Sequence, residues 1–225
     1  MKREKTGTLL SCRPAIRVLD ATLRDGGLVN EFRFSDDFVR ALFAADAAAG
    51  VDYMELGYKA DADLFDREKF GKWKFCRDDD VFAVLGENKT EMKLACMADV
   101  GRCNFTRDIC ERGSSPFDMY RIATYINALP AAIEMIEYCE KMGYETTVNL
   151  MAVSRETEKE LAIALEMLGQ TPVRAIYIVD SYGSLYPEEV RPLAAKYLEV
   201  GAKYGKEIGI HAHNNQNLDF ANTIE

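Results

Sequence analysis

The feature that most constrains the fold of this chain is a repeat in which a short apolar run is followed by a longer amphipathic stretch. Apolar runs typical of β-strands lie at 16–22, 53–57, 92–98, 119–125, 145–152, 174–180 and 207–212. Helical patterns lie between them, at 36–49, 79–88, 104–112, 128–142, 155–168 and 187–204. Strands that alternate with helices at this spacing predict βαβ units and a parallel sheet.

The closed form of such a sheet is the TIM (β/α)₈ barrel, which we favour, and an open doubly wound sheet is the alternative. No linker rich in Gly, Pro or Ser divides the chain, so residues 1–225 are predicted to form a single catalytic domain. Only seven strands are visible, and the sequence stops at Glu225, inside the expected seventh helix. We therefore expect the eighth βα unit to be missing from this chain, either by truncation or because another segment closes the barrel.

Composition excludes several classes of function. The net charge of −9 argues against nucleic acid or an anionic membrane surface as a partner. No apolar run reaches the roughly 20 residues that a membrane span needs, and residues 1–18 lack the apolar segment of a signal peptide. The six cysteines are scattered and predict reduced thiols. We expect a cytoplasmic protein that acts on a small molecule.

The only two histidines, His211 and His213, stand two residues apart at the end of the last predicted strand. Side chains alternate across a strand, so both imidazoles point to the same face. The carboxyl ends of barrel strands are where active-site residues are found. Two neighbouring core or surface histidines are the alternative interpretation.

Asp25 follows Arg24 and precedes two glycines, where predicted strand 1 turns into a loop. Taken alone, this pair is typical of a salt-bridged turn. Strands 1 and 7 lie two apart around an eight-stranded barrel, however, so Asp25 can meet His211 and His213. One carboxylate and two imidazoles, with positions left open for water or substrate, predict a site for Mn²⁺, Mg²⁺, Zn²⁺ or Fe²⁺.

Separate motifs along the chain now add up to a family resemblance. They are DATLRDGG at 20–27, Glu55 within MELG, VDSYGS at 179–184 followed by Pro187, and GIHAHNNQNLDFANT at 209–223. In this order they resemble the HMG-CoA lyase-like superfamily, the DRE-TIM metallolyases. The resemblance spans roughly residues 16–225 and is strongest toward 4-hydroxy-2-oxovalerate aldolase-like proteins.

The resemblance implies that Asp25, His211 and His213 bind one divalent metal ion, with Mn²⁺ or Mg²⁺ favoured and Zn²⁺ possible. It implies that Arg24 contacts the carbonyl or enolate oxygen of the substrate, and that Glu55 orients Arg24 or the substrate. The expected function is that of a metal-dependent carbon–carbon lyase of the aldolase type, which acts on a 2-oxo acid through a metal-stabilised enolate. A homodimer is expected.

Five further polar residues are candidates for substrate binding. Asp180, Ser181 and Tyr182 belong to the motif on strand 6. Asn149, on strand 5, either faces the site or pairs within the barrel. Asn215, two residues past His213, either approaches the metal or caps a helix.

One position departs from the pattern of the family. Its aldolases carry a histidine, as general base, four residues after the arginine of strand 1, and Leu28 stands there in this sequence. Tyr58, Tyr125, Tyr182 or a metal-bound hydroxide are left as candidates for the base. Two other functions therefore stay open: an acyl-CoA-dependent Claisen synthase of the isopropylmalate or homocitrate synthase type, and a metal-binding barrel without full catalysis.

Overall fold

The computed structural model describes residues 16–225 and contains one seven-stranded parallel sheet. Each strand pairs with the next one along the chain, in the order β1 to β7. The strands are β1 (Leu19–Asp20), β2 (Tyr53–Tyr58), β3 (Lys93–Asp99), β4 (Met119–Thr124), β5 (Glu145–Leu150), β6 (Ala175–Asp180) and β7 (Glu207–Ala212). Sequential order in a curled sheet is the arrangement of a TIM barrel, partial in this chain. The predicted barrel class is confirmed, and the open doubly wound sheet is wrong.

The helices lie between the strands and pack against the outer face of the sheet. They are α1 (Thr22–Asn30), α2 (Asp36–Ala49), α3 (Asp78–Leu85), α4 (Phe105–Asp108), α5 (Leu129–Lys141), α6 (Glu158–Gly169), α7 (Pro187–Tyr204) and α8 (Asp219–Ile224). Local signals explain several ends. The Ser35 hydroxyl accepts the backbone N–H of Phe38 at the start of α2, and Gly50 and Gly205 end α2 and α7 in the left-handed conformation.

Two segments differ from the prediction. The first strand is short because α1 begins at Thr22. The backbone N–H of Thr22 donates to one carboxylate oxygen of Asp20 at 3.0 Å, and the Thr22 hydroxyl donates to the other at 2.7 Å. The predicted loop after strand 1 is therefore wrong. The helix predicted at 104–112 is also wrong in length, because Ile109 adopts an extended conformation that ends α4.

The main apolar core lies between the outer face of the sheet and the helices. Strand residues such as Leu56, Ile122, Leu150 and Ile176 point outward into it and are fully or almost fully buried. A second, small cluster inside the sheet contains Tyr53, Ala95 and Met119, with Leu19 packed against it. The barrel interior is otherwise lined largely by polar side chains.

Charged side chains close the amino-terminal end of the barrel. The Glu145 carboxylate accepts from the Tyr53 hydroxyl at 2.8 Å and pairs with Lys93 at 2.7 Å and with Arg174. Glu207 on β7 pairs with Arg17 at 2.7 Å, which ties the start of the described chain to the last strand. These contacts seal the end of the barrel opposite to the carboxyl ends of the strands.

The opposite edges of the sheet, β1 and β7, do not pair with each other within residues 16–225. A cleft of about 870 Å³ separates them, lined by residues 16–19 on one side and 207–211 on the other. The barrel interior is open to solvent along this cleft. The structure thus contains seven strands of a barrel, as predicted.

Three other expectations concern the chain as a whole. Across residues 16–225, every helix is too short or too polar to cross a membrane. Five cysteines are free thiols, as predicted for them, and Cys12 lies outside the described residues: Cys76, Cys96, Cys103, Cys110 and Cys139. A single domain over 1–225 stays a prediction.

Gly57 on β2 gives a test of the packing that positions the site. A Cβ atom at Gly57 would lie 1.9 Å from the Trp73 carbonyl oxygen and 2.8 Å from the Cys76 sulfur, so the backbone would have to shift. We expect Gly57→Ala to lower the free energy of unfolding by about 3 kcal/mol, as overpacking does in a tight core. Gly113→Ala is the control, since no atom lies within 4 Å of its added Cβ. Urea denaturation measures both, and equal stabilities would contradict this account.

Candidate metal centre

Asp25 lies in the first turn of α1, directly after β1. A carboxylate in the first turn of a helix is stabilised by the partial positive charge of the helix end. Because α1 begins so soon after the short strand, the Asp25 side chain stays at the carboxyl end of the sheet. The helix therefore positions this residue more rigidly than the predicted loop would.

The three predicted metal ligands meet at one point. The Asp25 Oδ2 atom lies 3.2 Å from His211 Nε2 and 3.6 Å from His213 Nε2. The two Nε2 atoms lie 3.3 Å apart. The structure thus brings Asp25, across the cleft between β1 and β7, to two histidines that lie 186 and 188 positions later in the sequence.

A backbone contact fixes the orientation of His213. Its Nδ1 lies 2.7 Å from the Asp180 carbonyl oxygen at the end of β6, so Nδ1–H donates to that oxygen. Nε2 then faces Asp25 and His211, and it offers a lone pair to a metal ion once it is deprotonated. Metal-binding histidines are usually oriented by such a bond from their other ring nitrogen.

The pKa shifts favour the metal-binding forms of Asp25 and His211, whereas His213 would give up a proton when a metal ion binds. Burial opposes the charge of Asp25, but hydrogen bonds from His211 and His213 and the charge of Arg24 hold its pKa well below its ordinary value. Burial lowers the pKa of His211, although Asp25 partly offsets this effect. The bond to Asp25 raises the pKa of His213. An ionised carboxylate and a neutral imidazole are the forms that bind metal ions.

An ion-pair network lies directly beneath these ligands. Glu55 Oε2 accepts from Arg24 Nε at 2.8 Å and from Arg121 Nη1 at 2.6 Å, and all three side chains are buried. The other side of the Arg24 guanidinium pairs with Asp25 Oδ1 at 2.7 Å. Arg24 therefore links the carboxylate at the metal site to the carboxylate inside the barrel.

Several buried polar atoms around this network have no protein partner within the described chain. They are Arg24 Nη2, Glu55 Oε1, Arg121 Nε, Thr147 Oγ1 and Asn149 Oδ1. Buried polar groups in folded proteins are normally hydrogen-bonded, so unpaired ones indicate a place for water or a ligand. The barrel interior below the metal ligands is therefore a polar binding space.

The residues present fit a divalent metal ion. Two imidazole nitrogens and one carboxylate oxygen form a common donor set for first-row metals and leave coordination positions open. Each ligand offers one atom, and the three atoms converge within 4.8 Å of one another. The fourth nearby charge, Arg24, is a cation that cannot bind the metal, so it remains available for a substrate oxygen.

The comparison with family models decides the family. The HMGL-like family model matches residues 15–225, nearly the whole chain. The chain belongs to the HMGL-like family. The predicted resemblance is thereby confirmed.

Relatives and solved structures agree with the HMGL-like assignment. The chain is 28% identical over 213 residues to 4-hydroxy-2-oxovalerate aldolase 2 of Mycolicibacterium smegmatis. The aligned region covers 93% of this chain and 59% of that protein. The chain thus spans about three fifths of the length of this relative.

Two solved structures share the fold. The N-terminal domain of a candidate aldolase from Bacteroides vulgatus has a TM-score of 0.75 and 26% identity, covering 93% of this chain and 68% of that one. HMG-CoA lyase from Brucella melitensis has a TM-score of 0.67 at 12% identity, covering 93% of this chain and 77% of that one. The second likeness concerns the fold alone.

The strand-6 motif takes a structural role in this HMGL-like chain. The Asp180 carboxylate accepts the backbone N–H groups of Ser184 and Leu185, each at 3.1 Å, and so shapes the loop after β6. The Ser181 hydroxyl accepts from the backbone N–H of Ala152 at 2.9 Å. These contacts fix the backbone whose Asp180 carbonyl orients His213, so the motif acts on the site through the main chain.

The other predicted candidates divide between the interior and the surface. Asn149 is buried and points inward, in register with Tyr177 on β6. Tyr182 is 45% exposed and its hydroxyl lies 3.4 Å from Arg155. Asn215 is exposed and lies against Gly183, and α8 is capped by Leu218, so the helix-capping alternative for Asn215 is wrong.

Two buried cations near the site were not predicted from the sequence. Arg121 had a readable signal, since an arginine within an otherwise apolar strand is rarely buried without a charged partner. Lys74 follows β2 in a short 3₁₀ turn and is 6% exposed. Nothing in the local sequence KWKF distinguishes it from a solvated lysine.

Metal content tests the triad directly. We expect His211→Ala, His213→Ala and Asp25→Asn each to reduce the bound divalent metal sharply, because each removes one of three ligands. Elemental analysis after dialysis measures the metal bound per chain. Asp79→Ala is the control, because the side chain of Asp79 is 90% exposed. Unchanged metal content in all three ligand variants would contradict the proposed site.

The stability of Glu55→Gln tests the buried network. The amide keeps the shape of Glu55 but leaves Arg24 and Arg121 without their shared counter-charge. Breaking a buried ion pair costs about 3–5 kcal/mol, which is the loss of unfolding free energy expected here. Glu31→Gln, which breaks an exposed pair with Arg33, should cost less than about 1 kcal/mol. A small effect of Glu55→Gln in thermal or urea denaturation would mean that the network is not stabilising.

Proposed function

We propose that this protein is a divalent-metal-dependent carbon–carbon lyase of the aldolase type that cleaves a 2-oxo acid. The observation that carries the proposal is the convergence of Asp25, His211 and His213 beside the buried guanidinium of Arg24. The named activity of the Mycolicibacterium relative, a 4-hydroxy-2-oxovalerate aldolase, supports it. Mn²⁺ or Mg²⁺ is the proposed ion, and Zn²⁺ is the alternative for the same donors.

In the proposed reaction, the bond between C3 and C4 of a 4-hydroxy-2-oxo acid breaks. Its electron pair stays on C3 as the enolate of the 2-oxo acid product. The C4 hydroxyl gives its proton to a base from solvent in the open cleft, so that C4 becomes the carbonyl carbon of an aldehyde. A divalent ion in the site supplies Lewis acidity for the developing negative charge. Arg24 supplies a second positive charge, because its Nη2 has no protein partner among residues 16–225 and is free to donate to the enolate oxygen.

Glu55 and Arg121 act by positioning Arg24. Nε of Arg24 donates to Glu55, and this bond fixes the plane of the guanidinium. Arg121 holds the other side of the same carboxylate oxygen, so Glu55 has little freedom to move. A donor fixed before the reaction need not reorganise as charge develops.

Tyr58 is the tyrosine best placed for proton transfer. Its ring centroid lies 5.9 Å from Cζ of Arg24, whereas Tyr125 and Tyr182 are about half exposed. Burial raises the pKa of Tyr58 to about 12, with Arg24 partly opposing the rise. At neutral pH this phenol is protonated, so we propose it as a proton donor to the enolate rather than as the base.

Activity on a panel of 2-oxo acids tests the proposal. Retro-aldol cleavage releases a 2-oxo acid and an aldehyde, which coupled dehydrogenase assays detect, and a chelator should abolish it. A thiol assay with acetyl-CoA detects a Claisen synthase of the alternative type. Metal binding without turnover in either assay would favour a metal-binding barrel without full catalysis. This alternative is supported by Leu28, which stands where the family's aldolases have their general base. A cytoplasmic location and a homodimer stay predictions.

Arg24→Lys tests the role of the guanidinium. Lysine keeps the charge but not the rigid fork that reaches Glu55, Asp25 and a substrate oxygen together. We expect metal content to be retained and kcat to fall by about 10²–10³, as for the loss of one oxyanion donor. Arg40→Lys, on the exposed face of α2, is the control and should leave kcat unchanged. Near-normal turnover of Arg24→Lys would make Arg24 a structural residue only.

A further inference from the structure

Lys74 is a buried cation surrounded by aromatic rings. Its Nζ lies 4.4 Å from the ring centroids of both Tyr58 and Phe65, 5.0 Å from that of Phe32 and 5.7 Å from that of Phe70. Ring faces attract an ammonium group electrostatically, but they accept no conventional hydrogen bonds from its three N–H donors.

Within residues 16–225, the Lys74 ammonium has neither a hydrogen-bond acceptor nor a carboxylate at ion-pair distance, although the residue is only 6% exposed. Lys59 is about as buried as Lys74 and shows the usual arrangement of a buried lysine. Its ammonium donates to the Cys76 carbonyl at 2.7 Å and pairs with Asp78. Burial lowers the pKa of Lys74, and the more distant Asp99 only partly offsets this. The rings accept no conventional hydrogen bonds from the ammonium, so an anionic group would gain from binding there.

The ammonium of Lys74 lies on the same rim of the barrel as the metal site. Tyr58, one of its two closest rings, ends β2. The ring also contacts the guanidinium of Arg24, which in turn pairs with Asp25. Burial raises the pKa of Asp99, at the end of β3, and the charges of Arg102, Lys74 and Arg24 partly oppose this rise. The Tyr58 ring therefore contacts both cations, Lys74 and Arg24, at the carboxyl end of β2.

We propose that Lys74 binds a second carboxylate at the far end of the substrate, so that the substrate is a 2-oxo acid with an anionic tail. This rests on the proposed function, in which the 2-oxo acid end lies at the metal site beside Arg24. A carboxylate supplies the acceptors and the counter-charge that the four rings do not. A neutral tail leaves the ammonium unpaired, so the site discriminates between tails by charge. Arg102, whose side chain is 65% exposed and lies 3.8 Å from Asp99, adds positive charge on the β3 side.

Binding of two unreactive ligands to the metal-loaded protein tests this assignment. They are 2-oxopentanoate and 2-oxopentanedioate, which have the same carbon chain and differ in the terminal carboxylate. Lys74→Met removes the charge and keeps an unbranched side chain that packs well against rings. By calorimetry, we expect 2-oxopentanedioate to bind about tenfold to a hundredfold more weakly, the range of a charged hydrogen bond, and 2-oxopentanoate to change less than about threefold.

Lys72→Met is the matched control, because the Lys72 ammonium pairs with Asp36 at 2.6 Å on the other side of the turn. It should change neither affinity, and Lys74→Arg should retain part of the preference for the dianion. Thermal denaturation shows whether Lys74→Met is folded. If it is, equal weakening of both ligands, or no change in either, would overturn the assignment.

Two further outcomes separate this inference from the proposed function. A Lys74-dependent preference for the dianion, with no cleavage of any 4-hydroxy-2-oxo acid, would support the anion subsite and reject the lyase. A loss of turnover in Lys74→Met that is the same for neutral and anionic tails would overturn the subsite and make Lys74 the missing base.

Discussion

The structure depends on one buried carboxylate shared by two arginines. Glu55 is fully buried, and burial alone would raise its pKa, but Arg121 and Arg24 together lower it, so the group stays ionised. Removing the carboxylate leaves two buried guanidinium groups without their shared counter-charge in a medium of low dielectric, which is far more costly than losing a surface pair. Because Glu55 is on β2, Arg121 on β4 and Arg24 on α1, this interaction fixes the helix after β1 relative to the sheet.

The geometry of the candidate metal site follows from this constraint together with the pairing of β6 and β7. That pairing sets His211 beside Val179, and the next carbonyl, that of Asp180, orients His213. On the other side of the cleft, Arg24 is fixed by Glu55, and its neighbour Asp25 is thereby directed at the two imidazoles. Asp25 lies on α1, His211 on β7 and His213 directly after β7, and separate contacts hold each element. A site built on elements held in this way is preorganised for its ligand.

The sequence predicted the parts of this arrangement that have a periodic or local signal. Alternating strands and helices predicted the parallel sheet, and the i, i+2 spacing of His211 and His213 predicted that they share a face. It did not predict that Asp25 lies in a helix, because two glycines after it are typical of a turn. The hydrogen bonds that Thr22 donates to Asp20 override that tendency. Lys74 has no sequence signal, since its rings come from residues up to 42 positions away.

The polar interior imposes a cost that an apolar barrel would avoid. The interiors of TIM barrels are usually filled by layers of branched apolar side chains. Here the layer of Glu55, Arg121 and Tyr177 is charged and aromatic, with Cζ of Arg121 4.7 Å from the centre of the Tyr177 ring. Neighbouring polar atoms lack partners among residues 16–225. Replacing such ion pairs by apolar residues of similar volume often stabilises a protein. Their presence directly beneath three convergent ligands is best explained by the chemistry of the site, because stability alone would favour their loss.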